Sequence, residues 1–288
     1  MPRICHRRAL RALLGGIVLP LFWASGAQAG MRSSVLSLEL GHDDNLGNSS
    51  KAAEAISSPS YLAALDTQWL YALQPTYGAA LGLDLRYRHL PELEALNQTE
   101  ATAWARAWLA NSADMHNVWL DLEIFASLQE VDSQQRDAQR FGAQIQLRGR
   151  WGSLFSAGLG LGWRRQDARE AVFDSELLDL FLRAESRWSA ANSSRIQWHW
   201  LQGDQASAIV PPDPAAVAAA ERIRPDDALL GYNSYRLDSR SWVLRMGHNL
   251  ALSERWALDL VAQSIRSRAD QGLRYSRAQV GLALLYSF

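Results

Sequence analysis

Alternation of apolar with small or polar residues runs through almost the whole chain, in unusually long segments. In YLAALDTQWLYAL, residues 61–73, aromatic and aliphatic side chains occupy one set of alternate positions, and Asp66 and Gln68 fall in the other. Residues 77–89 repeat the pattern, with leucine and tyrosine alternating with glycine, aspartate and arginine. Because successive side chains of a strand point to opposite faces, the pattern predicts β-strands of roughly twelve residues with one apolar face.

The length of these segments distinguishes two kinds of β protein. Strands in soluble sandwiches usually run about five or six residues, and their polar face meets bulk water. A strand that crosses a bilayer at a tilt needs about 9–11 residues, and its second face lines a polar lumen. No continuous apolar stretch approaches the ~20 residues of a membrane-spanning helix. The sequence therefore predicts an all-β protein, a transmembrane antiparallel up-and-down β-barrel.

About twelve such segments follow one another, with connections that alternate between short and long. They begin near residues 34, 60, 76, 98, 115, 139, 154, 175, 194, 235, 255 and 274. Short connections lie near residues 74–75, 111–114, 152–153, 189–193 and 251–254, and long ones at 43–59, 90–97, 130–138, 165–174, 203–234 and 267–273. Bacterial outer-membrane barrels have short periplasmic turns and long outer loops, so we expect both termini of this barrel in the periplasm.

The first 29 residues have the composition of a secretory signal peptide. Four arginines precede an apolar core at residues 13–23, and Ala-Gln-Ala at residues 27–29 forms a cleavage site. A membrane anchor is the alternative, but the apolar run is too short to span. Cleavage would remove Cys5, the only cysteine, and leave residues 30–288 with 25 basic and 30 acidic residues. We therefore expect an exported barrel that does not rely on disulfides.

Aromatic residues cluster beside the short connections and at the C-terminus. Such rings favour the headgroup level, so they predict an aromatic girdle on the periplasmic side. In the predicted register most of them project outward, whereas Trp119 projects inward and Trp108 is ambiguous. The residues are Trp69, Tyr71, Tyr77, Trp108, Trp119, Trp151, Phe155, Trp188, Trp256, Tyr286 and Phe288.

Two short motifs carry a family resemblance. The C-terminal VGLALLYSF, with alternating apolar residues and a final Phe288, resembles the β-signal of Gram-negative outer-membrane proteins. That resemblance implies recognition of the last strand by the barrel-assembly machinery, and outer-membrane lipid and lipopolysaccharide as surroundings. LELGHDDNLGNSS, residues 38–50, is similar to the first strand and loop of barrels of the surface lipoprotein assembly modifier type, although His42 stands where those have an aromatic residue.

Charged residues on the polar face are the candidate lumen lining. The two signs are nearly balanced, which fits either a structural network of ion pairs or a mildly selective channel for small solutes. The residues that we expect to line the lumen are Asp84, Arg86, Arg88, Arg106, Asp121, Glu123, Arg148, Arg150, Arg164, Arg183, Glu185, Arg187 and Arg245.

The outer rim carries a second, weaker set of candidates. His42, Asp43, Asp44 and His89 fall at the outer ends of strands, where a histidine, a carboxylate and a loop serine would suit a lipid-acting hydrolase. No serine motif accompanies them, and adjacent oxygen ligands suit calcium poorly. The sequence contains no Walker loop, zinc spacing or basic stripe. We therefore expect no cofactor, no metal and no nucleic-acid partner.

The longest loop, residues 203–234, contains a helix-forming stretch. Asp213 can cap it, Pro214 suits its first turn, and residues 215–223 favour helix up to Pro225. Such a helix could constrict the pore, bind a partner or only order the loop. Together these features favour a narrow passive channel or a structural surface barrel. A rim hydrolase and an accessory to export of an envelope component are the alternatives.

Overall fold

The computed structural model of this protein describes residues 31–112, 116–211 and 213–288. The predicted signal peptide, residues 1–29, lies outside the described residues, as does part of the connection at 111–114. Within the described ranges no helix is long and apolar enough to cross a membrane.

Twelve long strands form one closed antiparallel sheet, as predicted. Each long strand pairs with the next and the last pairs with the first, so within the described residues the sheet has no open edge along the barrel wall. The bounds are β1 Met31–Asp43, β2 Ser58–Gln74, β3 Tyr77–His89, β4 Gln98–Ala110, β5 Asn117–Val131, β6 Ala138–Trp151, β7 Phe155–Ala168, β8 Ser175–Arg187, β9 Asn192–Ile209, β11 Asn233–Ala251, β12 Trp256–Ala269 and β13 Arg274–Ser287. A short β10, Ala220–Pro225, is a thirteenth strand outside this count.

The long loop departs from the sequence prediction. The helix α1 is only Pro214–Ala219, capped by the Asp213 carboxylate, which accepts the N–H of Ala216 at 3.0 Å. From Ala220 the chain extends as β10 and pairs with β11, with Ile223 opposite Tyr235. The pairing of β12 with β11 begins at Ser239. Pairing with the outer end of β11 therefore overrides the helix propensity of residues 220–223.

The face predicted to be apolar is the exposed outer face of the barrel. Along β5, Leu120, Leu122 and Ile124 have exposed fractions of 42, 51 and 54%, whereas Asp121 between them is 4% exposed. Leucines at alternate positions of the other strands are exposed in the same way. Water would make such a continuous apolar surface costly, and hydrocarbon would not.

Aromatic residues on the outer face lie near both ends of the barrel, and those beside the short connections form ring contacts with one another. The rings of Trp256 and Tyr286 lie 4.7 Å apart between centroids, those of Tyr286 and Phe288 6.0 Å, and those of Trp151 and Phe155 5.7 Å. Two members of the predicted girdle belong to the other face.

Trp119 and Trp108 are those two members. In the register Trp108 lies opposite both Asp121 and Gly78, on the face that carries the charges. A Cβ added at Gly78 would lie 2.2 Å from the Trp108 ring, so only glycine leaves room for the indole. Trp119 lies opposite Arg148 on the same face, as predicted.

Arginine at Leu122, near the middle of the apolar band, is expected to lower the unfolding free energy in phospholipid vesicles by about 2–4 kcal/mol. The matched control is Val118→Arg on the same face of β5, near the membrane boundary, where the expected loss is about 0–1 kcal/mol. Guanidinium titration followed by tryptophan fluorescence measures both. Equal losses at the two positions would show that hydrocarbon does not cover this face.

Candidate functional site

The inner face of the barrel carries the residues that the sequence analysis assigned to the lumen. In the register all of them fall on the face opposite the exposed leucines. Part of the enclosed space is a cavity of about 400 Å³, bordered by Asp66, Arg86, Arg88, Arg245 and Asp259. Because these side chains come from strands on different parts of the ring, they converge only when the sheet closes.

Some of the lumen charges form ion pairs that link strands. Arg106 on β4 and Asp121 on β5 lie 2.7 Å apart, and Arg195 on β9 and Asp259 on β12 lie 2.5 Å apart. The remaining pairs on this face are Arg140–Glu100 at 3.1 Å, Arg86–Asp66 at 3.8 Å and Arg277–Asp43, and the His199 imidazole hydrogen-bonds the Asp179 carboxylate at 3.0 Å.

Other lumen arginines have no ion pair with any described residue. They are Arg88, Arg148, Arg150, Arg164, Arg183, Arg187 and Arg245. The excess is concentrated on the wall formed by β5–β8. There, five of these arginines face three carboxylates that have no arginine partner among the described residues, Glu123, Glu185 and Asp179. Glu123 accepts a hydrogen bond from Gln144 at 2.9 Å, and Asp179 hydrogen-bonds the His199 imidazole. The wall therefore has a positive surplus, although the total charges of the lumen are nearly balanced.

Aromatic rings support the guanidinium groups of this wall. The Arg148 and Arg150 guanidinium carbons lie 4.9 and 5.7 Å from the centroid of Trp119, and that of Arg183 lies 4.4 Å from Phe181. Guanidinium groups at this distance from a ring are stabilised by its electron-rich face. The rings thus stabilise these guanidinium groups, as a carboxylate would, but they leave the positive charge of the wall unchanged.

A glycine lets these side chains lie flat on the wall. A Cβ added at Gly158 on β7 would lie 2.4 Å from Gln146 Nε2 and 2.8 Å from Arg148 Cγ. Glycines at alternate positions of residues 155–163 indicate from the sequence that this face of β7 is small. That pattern does not identify the neighbouring side chains that occupy the space left by Gly158.

Loops from separate parts of the ring meet over the outer mouth. Leu90 and Leu96 from the β3–β4 connection pack with Ala208 at the end of β9 and Leu229 from the β10–β11 connection, and Leu46 and Ile56 from the β1–β2 connection pack against them. This apolar group, the mouth cluster, covers the outer entrance. Its members are far apart in sequence, so alternation gave no signal for it.

A set of ion pairs joins the β5–β6 connection to the β10–β11 connection beside the mouth cluster. Arg136, in the β5–β6 connection, lies 2.5 Å from Asp226 and 3.2 Å from Asp227. The Asp226 carboxylate also accepts the backbone N–H of Leu229 and the hydroxyl of Ser234. Burial alone would raise the pKa of Asp226, but the guanidinium and these donors outweigh it and hold that pKa below its usual value. We call Arg136, Asp226 and Asp227 the mouth latch.

The β1–β2 connection reaches β9, which lies across the ring from β1 beyond β13, β12 and β11. The Ala208 N–H donates to the Gly47 carbonyl at 2.7 Å, and the Ser207 hydroxyl donates to the Asn48 carbonyl at 2.5 Å. The Lys51 ammonium lies 3.0 Å from the Asp213 carboxylate at the start of α1. These contacts join connections from opposite parts of the ring at the mouth.

The rim candidates do not come together in one site. His42 is exposed on the outer face, whereas Asp43 points to the lumen and pairs with Arg277, because neighbouring residues of a strand face opposite sides. The Asp44 carboxylate accepts the N–H of Ala278, and His89 hydrogen-bonds Asn97 at 3.1 Å. Asp43, Asp44 and His89 are therefore held by separate structural partners, and His42 lies on the opposite face from Asp43. Among the described residues no group of three or more His, Cys, Asp or Glu could hold a metal ion.

Comparison with solved structures shows the fold of porin-like outer-membrane β-barrels. An outer-membrane channel from Pseudomonas putida F1 is similar over 91% of this chain and 96% of its own, with a TM-score of 0.59 and 11% identity. An anion-selective porin from Comamonas acidovorans covers 90% of this chain and 99% of its own, with a TM-score of 0.41 and 8% identity. At these identities the likeness shows the fold alone. No protein-family model and no curated protein matches the sequence.

Asp226→Asn is expected to loosen the mouth latch, because it removes the charge that Arg136 pairs with inside the cover. A charge-assisted hydrogen bond contributes about 1.5–3 kcal/mol, so backbone amides of residues 226–234 should exchange with deuterium about tenfold to a hundredfold faster. Arg165→Gln is the control, because the Arg165–Asp167 pair is half exposed on both sides. Unchanged exchange in Asp226→Asn would argue against the latch.

The pH dependence of the latch follows from the lowered pKa of Asp226. A carboxylate whose folded pKa is depressed stabilises fully above its unfolded pKa of about 3.9 and loses that contribution as the pH falls through the folded value. Exchange of the same amides, corrected for its intrinsic rate, should therefore show a constant protection between about pH 5 and 8 and a loss of protection only below about pH 4. Loss of protection near pH 6 would contradict this assignment.

Proposed function

We propose that this protein is a narrow passive channel of the Gram-negative outer membrane that prefers small anions. The surplus of lumen arginines without ion pairs supports this proposal most directly. A barrel with only a structural role gains from pairing its lumen charges, because like charges on neighbouring strands repel one another. A wall that keeps several guanidinium groups unpaired is better suited to passing or holding anions.

The outer face supports the membrane location. Its exposed leucines form a continuous apolar surface, and exposed aromatic rings border that surface at both ends of the barrel, as at Trp256 and Trp242. The long connections then lie outside the cell, and the first residues of β1 and the last residues of β13 lie on the periplasmic side. Export through a cleaved signal peptide at residues 1–29 is part of the same proposal.

Assembly by the barrel-assembly machinery also belongs to the proposal. The last strand completes the barrel, since β13 pairs with β1 and Phe288 exchanges backbone hydrogen bonds with Ser34 at 3.0 and 3.3 Å. A terminal strand with this position is suited to a role as the recognised signal. Its alternating apolar residues and final Phe288 are the features that such recognition would read.

The mouth cluster and the mouth latch make the proposed channel a gated one. A solute that enters from outside meets apolar contacts between three connections before it reaches the charged wall. The conducting state therefore requires movement of these connections, whose contacts are fewer than those of the strand ladder. We expect the channel to be closed for much of the time and to open when the latch is weakened.

Conductance in planar bilayers tests the channel. The purified protein should give discrete current steps, and a salt gradient should give a reversal potential on the anion side. Asp226→Asn should raise the open fraction. Arg148→Glu with Arg183→Glu should move the reversal potential toward cations, because the pair of changes turns the surplus of the β5–β8 wall negative.

The matched control is Arg165→Glu with Arg255→Glu, which makes the same charge change outside the lumen. This control should keep the wild-type reversal potential. Absence of discrete currents in both the wild type and Asp226→Asn would exclude the channel. Equal shifts in the two double variants would exclude selection by the lumen wall.

A further inference from the structure

We infer that the outer ends of β11–β13 bind the phosphorylated headgroup of lipopolysaccharide in the outer leaflet. The inference rests on the proposed outer-membrane location but not on conduction. The binding groups are Arg240, Arg268 and Arg274, one on each of three neighbouring strands, which we call the arginine row. All three side chains are exposed on the outer face.

The register places the three arginines side by side. Arg240 lies opposite Arg268, and Arg268 lies opposite Arg274. Neighbouring strands are about 4.8 Å apart, so three positive charges share a very short stretch of wall. Like charges directly opposite one another destabilise a sheet.

The described residues supply no counter-charge to the row. Within 4.0 Å of its guanidinium nitrogens no carboxylate of the described residues is found, although Arg236 nearby pairs with Asp204 at 2.5 Å. Asp238 and Asp270, the exposed acids next to the row in sequence, form no ion pair with it. An anion from outside the protein would therefore relieve the repulsion between the three arginines.

The height of the row matches the membrane boundary. On β12 the outward residues between Trp256 and Arg266 are Leu258, Leu260, Ala262 and Ser264, none of which is charged. Ten residues at about 3.3 Å each and a tilt of about 40° span roughly 25 Å, which is the height of the apolar band in such barrels. Trp256 marks the periplasmic edge, so the row lies just beyond the outer edge, at the level of the lipid headgroups.

A cavity beside the row gives the site a shape. It has a volume of about 710 Å³ and lies between the barrel wall and the β1–β2 connection. The wall contributes Trp242, Arg266, Arg268 and Arg274, and the connection contributes Asn45 and Ser49. Asp44 also borders the cavity, where its carboxylate accepts the N–H of Ala278 and forms no ion pair with the row. A phosphate on a sugar could be held by the forked guanidinium groups, while the sugar lies against the connection.

The position of the row favours a lipid over a free anion. Trp242 lies opposite Arg266 and is 42% exposed, so an amphipathic ring borders the arginines on the side of the apolar band. A soluble anion needs no such apolar border, whereas a lipid has acyl chains that cover the leucines below and a phosphorylated headgroup at the level of the arginines. Outer-leaflet lipopolysaccharide has both.

Binding of fluorescent lipopolysaccharide to the full-length protein in uncharged detergent tests the site. Replacing the row with glutamine, as R240Q/R268Q/R274Q, should weaken binding by at least about tenfold, since one lost charge-assisted contact alone corresponds to that factor. R32Q/R165Q/R255Q removes the same three charges elsewhere and should bind within about twofold of the wild type. Dephosphorylated lipopolysaccharide should bind the wild type as weakly as the phosphorylated form binds the row variant.

Equal binding by the two triple variants, or full binding of the dephosphorylated lipid, would overturn the site. If the row variant fails to show the heat-modifiable band of a folded barrel, R268Q alone replaces it, with an expected loss of about tenfold from one lost charge-assisted contact. Bilayer conductance separates this inference from the channel. If lipid binding depends on the arginine row but no currents are seen, the lipid site is supported and the channel is excluded. If currents are seen but lipid binding does not depend on the row, the channel is supported and the lipid site is excluded.

Discussion

The barrel depends on the requirement that every backbone N–H and C=O in hydrocarbon has a partner within the protein. An unpaired backbone group in the apolar core of a membrane costs several kcal/mol, so a sheet in that environment has to close. Pairing of β13 with β1 meets this requirement, because it joins the last strand of the barrel to the first. The alternation of side chains then follows, since a closed wall has one face toward lipid and one toward the lumen.

Closure of the sheet also determines which charged side chains lie close enough to form ion pairs. On the inner face it brings together carboxylates and guanidinium groups from distant parts of the chain, and some of them pair across strands. On the β5–β8 wall the pairing is incomplete, and Trp119 and Phe181 support the remaining arginines instead. On the outer face the same geometry places arginines of three strands side by side at the membrane boundary. A chain with slightly more acidic than basic residues thus presents two distinct positive surfaces, one on the inner face of β5–β8 and one on the outer face of β11–β13.

Prediction from the sequence succeeded where a residue's role depends on its strand alone. The number, length and order of the long strands follow from alternation, and so does the face on which residues such as Asp121 and Leu122 lie. It failed where two distant segments compete. Residues 220–223 favour helix locally, yet the uncovered outer end of β11 offers backbone partners, and pairing wins. The sequence left the direction of Trp108 ambiguous, and the register places its ring inward over Gly78.

The sequence by itself determined that this chain forms a long-stranded barrel with an apolar outside and a charged inside, because a period of two is a local property that survives any arrangement of the strands. Only the tertiary structure decided which charges are paired and how the mouth is covered. The contact between Arg277 and Asp43, the latch between Arg136 and Asp226 and the mouth cluster all join segments that are distant in the chain. Their partners are chosen by closure and by loop packing, which no local pattern encodes.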